Sequence, residues 1–408
     1  MTGTRADGER HPPTPASFVD MAERARASGR LALDTEFMGE GRYRTLLCLV
    51  QLAIADARGL QIELLDPLAA EVPGGDASWR EALASLLADP AVEIVVHAGR
   101  QDIALLRRAL CCEVRNVFDT QVAAGFLGMA AQCSYETLLG QLLRLRVGKS
   151  ASFTRWDARP LSTEQLSYAN EDVAHLIELA IEIQSRLGAV ERLEWAREEC
   201  RFLERVSDER DLDAVFERLP RVRSLSPACQ AVARELVEWR ERTAAERDRP
   251  VQGVLGDSAL VEIAKRRPRS PGKLQEIRGV PQANLRRRGA EVLAAVERGE
   301  RREAVPVSAE RRPPPPEPRD APLIALSEAL VRSRAREANL AYELLAARAD
   351  LQAIVVGERT GERAQVRTLA GWRRELVGEE LIELLHGRRW LGARDGRLLV
   401  GEDPPAAG

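Results

Sequence analysis

The chain has 408 residues, a formal net charge of −3, 45% hydrophobic and 30% charged residues, a composition that fits a globular chain of about two to four domains. No uninterrupted apolar run approaches the roughly 20 residues that span a membrane, and the polar stretch Met1–Pro15 lacks the apolar segment of a secretory signal; a membrane protein is excluded and the cytoplasm is the expected compartment. Six cysteines without a C-x-x-C pair and four scattered histidines (His11, His97, His175, His386) exclude a disulfide framework and a Cys/His zinc centre, so a bound metal would rely on carboxylates, whose hard oxygens favour magnesium or manganese.

In chain order, residues 17–28 have helical spacing and lead into Leu31-Ala32-Leu33-Asp34-Thr35-Glu36-Phe37, an apolar strand set with two carboxylates. Side chains two apart in a strand share a face, so Asp34 and Glu36 point the same way. Two ionised acids on a half-buried face are costly unless a cation or hydrogen-bond donors share the site; the plain alternative is a strand end emerging into water. After a turn at Gly39-Glu40-Gly41, Leu46–Ile54 and Leu60–Leu65 read as strands joined at Asp56-Ala57-Arg58-Gly59, an antiparallel ladder. Residues 78–88 are helical, Asp89-Pro90 ends that helix, and Glu93–Val96 is a short strand running into His97-Ala98-Gly99. A helix with Asp102 in its first turn, an extended piece near Val114–Phe118, a helix opened by Asp119 and Thr120, and another at Tyr135–Leu143 follow. Strands first and alternation afterwards predict an α/β domain with a largely covered sheet.

Gly148–Pro160 is a polar loop carrying Phe153 and Trp156, and Ser162 or Thr163 caps a helix to about Leu187. Inside it Tyr168 and Asp172 are four apart and share a face. Residues 222–300 form a helical module with helices at Pro227–Arg247, Ser258–Arg266, Ser270–Ile277 and Pro281–Glu297. Positions 221–300 hold 17 Lys+Arg against 11 Asp+Glu, which leaves −9 for the remainder; a basic module joined to an acidic one suits a polyanion-gripping device, although solvated helix faces give similar runs. Arg311–Pro318 is a stiff proline spacer. Leu323–Ala347 and Gly378–Leu385 are helical again, and Gly401–Gly408 is expected to fray.

Asp34-Thr35-Glu36-Phe37, His97-Ala98-Gly99-Arg100-Gln101-Asp102 and Tyr168-Ala169-Asn170-Glu171-Asp172-Val173 resemble, in this order, the three motifs of the DEDD superfamily of 3′–5′ exonucleases, in the subclass with tyrosine in the third motif. Leu65-Asp66-Pro67-Leu68, Arg159-Pro160-Leu161-Ser162 and Gln165 are similar to the pattern of the ribonuclease D family; 222–300 resembles the helicase-and-RNase-D C-terminal (HRDC) domain, and 321–400 a second, divergent copy. One departure is Arg155 directly before Trp156, with Asp157 after it, where the family often has aspartate first.

The resemblance implies an α/β, ribonuclease H-like exonuclease domain with a mixed sheet, followed by two small all-α HRDC-type domains. The expected divisions are a disordered tail at 1–15, the exonuclease domain with trailing helices at 16–218, an HRDC domain at 219–300, a proline-rich linker at 301–320, the second HRDC-like domain at 321–400 and a tail at 401–408. It also implies two divalent ions, Mg2+ or Mn2+, with Asp34 bridging them, Glu36 and Asp172 completing the site of the attacking water, Asp102 holding the second ion mainly through waters, and Tyr168 orienting the nucleophile. A phenol with an ordinary pKa of about 10 is a poor base at neutral pH, so positioning is the expected role of Tyr168.

Candidate nucleic-acid contacts are Phe37, as a stacking platform or core residue; His97, as a motif or structural residue; Lys149 and Arg155 in the polar loop; and Lys265, Arg266, Arg267, Arg286, Arg287 and Arg288 in the basic module. The expected function is a monomeric 3′–5′ exoribonuclease that releases nucleoside 5′-monophosphates from structured RNA with a single-stranded 3′ end, tRNA precursors by resemblance. Two alternatives stay open: a DNA exonuclease, because these site residues do not read the 2′-hydroxyl, and a noncatalytic nucleic-acid scaffold.

Overall fold

A computed structural model describes residues 15–70, 78–146, 155–277, 282–303 and 314–402. The expectations for residues 1–14, Lys149, Phe153, positions 304–313 of the spacer and 403–408 fall outside the described residues.

Helix α1 (Pro15–Ser28) leads into β1 (Arg30–Met38), β2 (Leu46–Asp56) and β3 (Gly59–Leu65), which pair antiparallel. Helix α2 (Trp79–Leu87) precedes β4 (Glu93–Val96), and α3 (Arg100–Leu110) precedes β5 (Val117–Asp119). These last two strands run parallel to β1 and to each other, giving a mixed sheet of order β3-β2-β1-β4-β5. Eight consecutive residues of β2 are buried, as expected of an inner strand covered on both faces. One face carries Leu31, Leu33, Val50 and Leu52 against α1, α2 and α3; the other carries Ala32 and Ala53 against α4 (Thr163–Ala174) and α5 (Leu176–Ala189). The single helix expected to Leu187 is thus two, parted at His175, which lets α4 bury Ala169 and Val173 while α5 lays Leu176, Leu179, Ala180 and Ile183 on the core.

The basic module has its own core between α6 (Pro227–Glu246) and α7 (Gln282–Arg301), with Leu236, Trp239, Leu260 and Val296 inside it. It is pinned to the exonuclease domain by the turn that follows β1: Arg42 pairs with Asp248, the Tyr43 amide donates to Asp248 (3.1 Å), and the Tyr43 hydroxyl donates to the buried Glu241 (3.1 Å).

The C-terminal region does not stand apart. Leu330, Leu344, Trp372 and Leu381 share one apolar core with Phe126, Leu142, Val173 and Ile183. Trp372 stacks on Trp195 with centroids 5.0 Å apart, and Arg192 donates to the carbonyls of Phe126 (3.0 Å) and Asn339 (3.2 Å). The helix expected over Leu323–Ala347 breaks after α8 (Ala321–Glu337), because Asn339 turns left-handed (φ 49°) to donate to the Leu127 carbonyl at 3.0 Å. A Cβ at Gly128 would lie 2.2 Å from the Asn339 side chain, so this approach requires glycine. The helical reading of this region also gains a hairpin, β6 (Trp390–Arg394) and β7 (Arg397–Gly401), turned at Asp395 and Gly396, both at positive φ; Asp-Gly is the sequence signal for such a turn. All six cysteines are free, and among the described residues no helix is long and apolar enough to cross a membrane.

Since Trp372 belongs to the core shared with the exonuclease domain, Trp372→Ala is expected to cost about 3–5 kcal/mol and to lower the unfolding temperature of the sheet domain with it. Calorimetry showing an unchanged exonuclease transition beside a weakened C-terminal one would contradict the shared core.

Candidate active site

Strand β1 leaves the core at Asp34. Leu31, Ala32 and Leu33 are fully buried, whereas Asp34 and Glu36 are half-buried. Asp34 lies opposite Gln51 and Glu36 opposite Leu49, with a bulge between Glu36 and Phe37, so both carboxylates leave on the face covered by α4. Thr35 and Phe37 turn to the other face, where Phe37 packs half-buried against the cluster of Leu31, Leu33 and Leu106.

Asp102 comes from the first turn of α3, held in place by a residue with no part in the motifs. Buried Asp119 accepts from the amides of Ala98 (3.1 Å), Gly99 (2.9 Å) and Gln121 (2.8 Å), tying the turn before α3 to the helix after β5. A Cβ at Gly99 would come 2.6 Å from that of Val96, so this turn needs glycine. His97 belongs to the same network: its Nδ1 lies 3.0 Å from the Thr120 hydroxyl and its ring 5.6 Å from that of Tyr135. Burial lowers the His97 pKa against the opposing pull of Asp119. Asp102 itself is buried and accepts from the Thr35 hydroxyl.

Tyr168 and Asp172 are delivered by α4, whose start is fastened twice. Ser162 and Gln165 form a reciprocal capping box. Arg159 clamps Asp66 at the end of β3 (2.6 and 2.7 Å) and donates to the Cys48 carbonyl on β2 (2.8 Å), joining two stretches of the family pattern in one contact. Buried Trp156 packs against the Tyr168 ring at 6.1 Å, and the Tyr168 hydroxyl donates to the Asp172 carboxylate. Asp172 Oδ2 is buried with no hydrogen-bond partner among the described residues.

Four carboxyl groups from three distant segments therefore meet, and their titration reflects it. Asp34 is held well above the usual carboxylate range, first by burial and then by the charges of Asp102, Asp172 and Glu36. Burial, with Asp172 and Asp102, pushes Glu36 up to about 8. Asp172 rises to about 7 through burial, against the Tyr168 hydrogen bond, and Asp102 to about 6 through burial, against the Thr35 hydrogen bond. As the side chains stand, no three Asp, Glu, His or Cys groups among the described residues meet in ligating geometry; Asp102 is drawn to Thr35 and Asp172 to Tyr168. The set is a group of hard oxygen donors, the donor type that divalent cations such as magnesium prefer.

Of the remaining expected residues, Lys149 and the Arg286 side chain fall outside the described residues, and the others lie elsewhere. Arg155 is exposed and forks onto neighbouring Asp157 (2.8 and 3.0 Å). Arg266 pairs with Glu262, while Lys265 and Arg267 are exposed at the end of the helix Asp257–Arg266. Arg287 and Arg288 on α7 gather with Arg247 and Arg249 beyond the end of α6: the Arg288 pKa is lowered by burial and by those three like charges, against Glu291, and its Nη1 is buried with no partner among the described residues. Sequence reasoning missed Thr35, Gln51, Asp119, Tyr135, Arg247 and Arg249 as parts of these sites; only Asp119-Thr120 carried a signal, and it read as a helix cap.

The mixed sheet, the helices over it and the acid cluster at the exit of β1 define a 3′–5′ exonuclease with trailing helical domains. A family model described as 3′–5′ exonuclease matches residues 12–188, and the HRDC domain model matches 230–296. Ribonuclease D of Granulibacter bethesdensis is 34% identical over 374 residues, covering 90% of each chain; that of Nitrobacter hamburgensis is 32% identical, covering 93% of this chain and 97% of the relative. The crystal structure of Escherichia coli RNase D superimposes with a TM-score of 0.75 at 27% identity, covering 93% of this chain and 99% of that one. The chain belongs to the ribonuclease D family, 3′–5′ exoribonucleases that depend on divalent metal ions.

A carboxyl group whose pKa is higher folded than unfolded stabilises the fold at low pH and loses that contribution as pH rises. Without metal, stability should therefore fall from the ordinary carboxylate range, near pH 4, up to about pH 8, where Glu36 titrates. Thermal melts in chelator at pH 5 to 8 should show this decline, and Glu36→Gln should flatten it; a wild-type profile that is level or rising would contradict the electrostatic picture.

Proposed function

We propose that this enzyme removes nucleoside 5′-monophosphates one at a time from the single-stranded 3′ ends of structured RNA, tRNA precursors among them, acting in the cytoplasm as a monomer with two divalent ions, Mg2+ or Mn2+. The observation that carries the reading is the meeting of Asp34, Glu36, Asp102 and Asp172 in one half-buried site where their charges oppose one another. Repulsion of this kind is relieved by cations, and the orphaned Asp172 Oδ2 is an acceptor that a cation would satisfy. Asp34, central to the cluster, would bridge the ions; Glu36 and Asp172 would serve the ion on the water side and Asp102 the other. Bound there, divalent ions supply the acidity that makes water a nucleophile and the positive charge that stabilises the expelled oxygen.

The protein's own groups provide order. The Tyr168 hydroxyl, steadied by Trp156 and by Asp172, holds the attacking water in line, and Thr35 restrains Asp102. RNA as the substrate is supported by the E. coli relative, described as an exoribonuclease involved in structured RNA processing. The clustered arginines at 247, 249, 287 and 288 supply the sequence-independent phosphate grip that a folded RNA body requires. Asp248, between two of them, is held by Arg42 and Tyr43 in the turn directly after β1, which sets that grip near the chain segment carrying the acids.

Asp34→Asn is expected to abolish monophosphate release from 3′-tailed tRNA with Mg2+ or Mn2+, and Tyr168→Phe to lower kcat about 10²-fold while leaving RNA affinity unchanged. Release that survives Asp34→Asn would overturn the reading, and faster release from matched single-stranded DNA would favour a DNA exonuclease. Arg247→Ala together with Arg288→Ala should weaken RNA binding and make the dependence of log K on log salt shallower, by roughly 0.7–0.9 for each phosphate of the folded RNA that is no longer neutralised; an unchanged slope would place the RNA elsewhere.

A further inference from the structure

Gln51 is fully buried in the middle of β2, and among the described residues neither its Oε1 nor its Nε2 has a hydrogen-bond partner. A primary amide has two donors and two acceptor sites, so this is among the most expensive ways to fill an interior position, and an apolar residue would fit the surrounding strand better. Its surroundings explain what the amide is for. On its own strand the flanking residues of the same face are Leu49 and Ala53, and opposite it on β3 lies Leu64. Opposite it on β1 lies Asp34, so the two side chains leave the sheet on one face with Cβ atoms roughly 5 Å apart. Of the four neighbouring positions on that face, only Asp34 is polar.

We propose that Gln51 is a positioning residue for Asp34: its amide nitrogen donates to the Asp34 carboxylate and fixes that group in ligating orientation when divalent ions bind. The inference rests on the carboxylate reading given above and adds a residue that the three motifs do not contain. A carboxylate that ligates a cation keeps further acceptor sites that a neighbouring amide nitrogen can occupy. Groups behind a metal ligand typically contribute 10–100-fold to metal affinity.

The test uses the full chain with Mn2+ as the probe, titrated by the electron paramagnetic resonance of the free ion, together with thermal melting in chelator. Gln51→Met and Gln51→Leu remove the amide at similar volume. Both are expected to melt in chelator at or above the wild-type temperature, because an unpaired amide leaves the core, and to bind Mn2+ about 10–100-fold more weakly. Wild-type Mn2+ affinity in both variants, with binding lost in Asp34→Asn, would overturn the role of Gln51 and leave the carboxylate site standing. A large fall in melting temperature with unchanged Mn2+ affinity would likewise overturn it, marking the amide as structural. Full Mn2+ binding by Asp34→Asn would instead remove the carboxylate reading, and this inference with it.

Discussion

Like charges in a partly desolvated site cannot all ionise at once, and this protein draws four carboxyl groups into such a site. Asp34 and Glu36 leave one face of β1 where the strand passes out of the core, and Asp102 and Asp172 reach the same place from α3 and α4. Left to themselves these groups would part, so each must be anchored by contacts that have nothing to do with the acids. For β1 the anchor is its inner position in the sheet. For α3 it is Asp119, which gathers the amides of Ala98 and Gly99. For α4 it is the capping box and the clamp of Arg159 on Asp66. The repulsion is thus held by the ordinary stability of the fold, and binding of cations would return it as affinity.

The trailing domains follow from the same demand. The C-terminal region shares one core with α4 and α5, and Trp372 reaches it by packing on Phe126 and Trp195 while Leu344 lies beside Gly125. The basic module is fastened by Tyr43, whose ring lies among its apolar residues and whose hydroxyl meets buried Glu241. That fastening uses the turn which leaves β1, so the strand that carries the first two acids is also the strand from which the second domain hangs.

Much of this was legible in the residues. The alternation in Leu31–Phe37 already put Asp34 and Glu36 on one face, and the four-residue spacing of Tyr168 and Asp172 put them on one side of a helix. The strand positions followed from apolar runs bounded by glycine and proline. What the residues did not disclose depends on contacts distant in sequence. The left-handed Asn339 reaches the Leu127 carbonyl, and the break at His175 parts α4, which buries Ala169 and Val173, from α5, which buries Leu176 and Leu179. Gln51 looked like one polar residue inside an apolar strand until the register set it opposite Asp34. Arg247, at the end of an expected helix, and Arg249 carried no signal of a site until α7 brought Arg287 and Arg288 beside them. The hairpin at Trp390–Gly401 was a plain miss, because Asp395-Gly396 lies between short strands of a segment read as helical.

Closure of these four acids around a pair of divalent cations, as proposed above, would leave a direct signature. Anomalous diffraction from crystals grown with Mn2+ tests it most directly. Two peaks roughly 3.5–4 Å apart are expected, both within reach of Asp34, with Glu36 and Asp172 on one and Asp102 facing the other. Peaks ligated by other residues, or none at a Mn2+ concentration that supports hydrolysis, would contradict it.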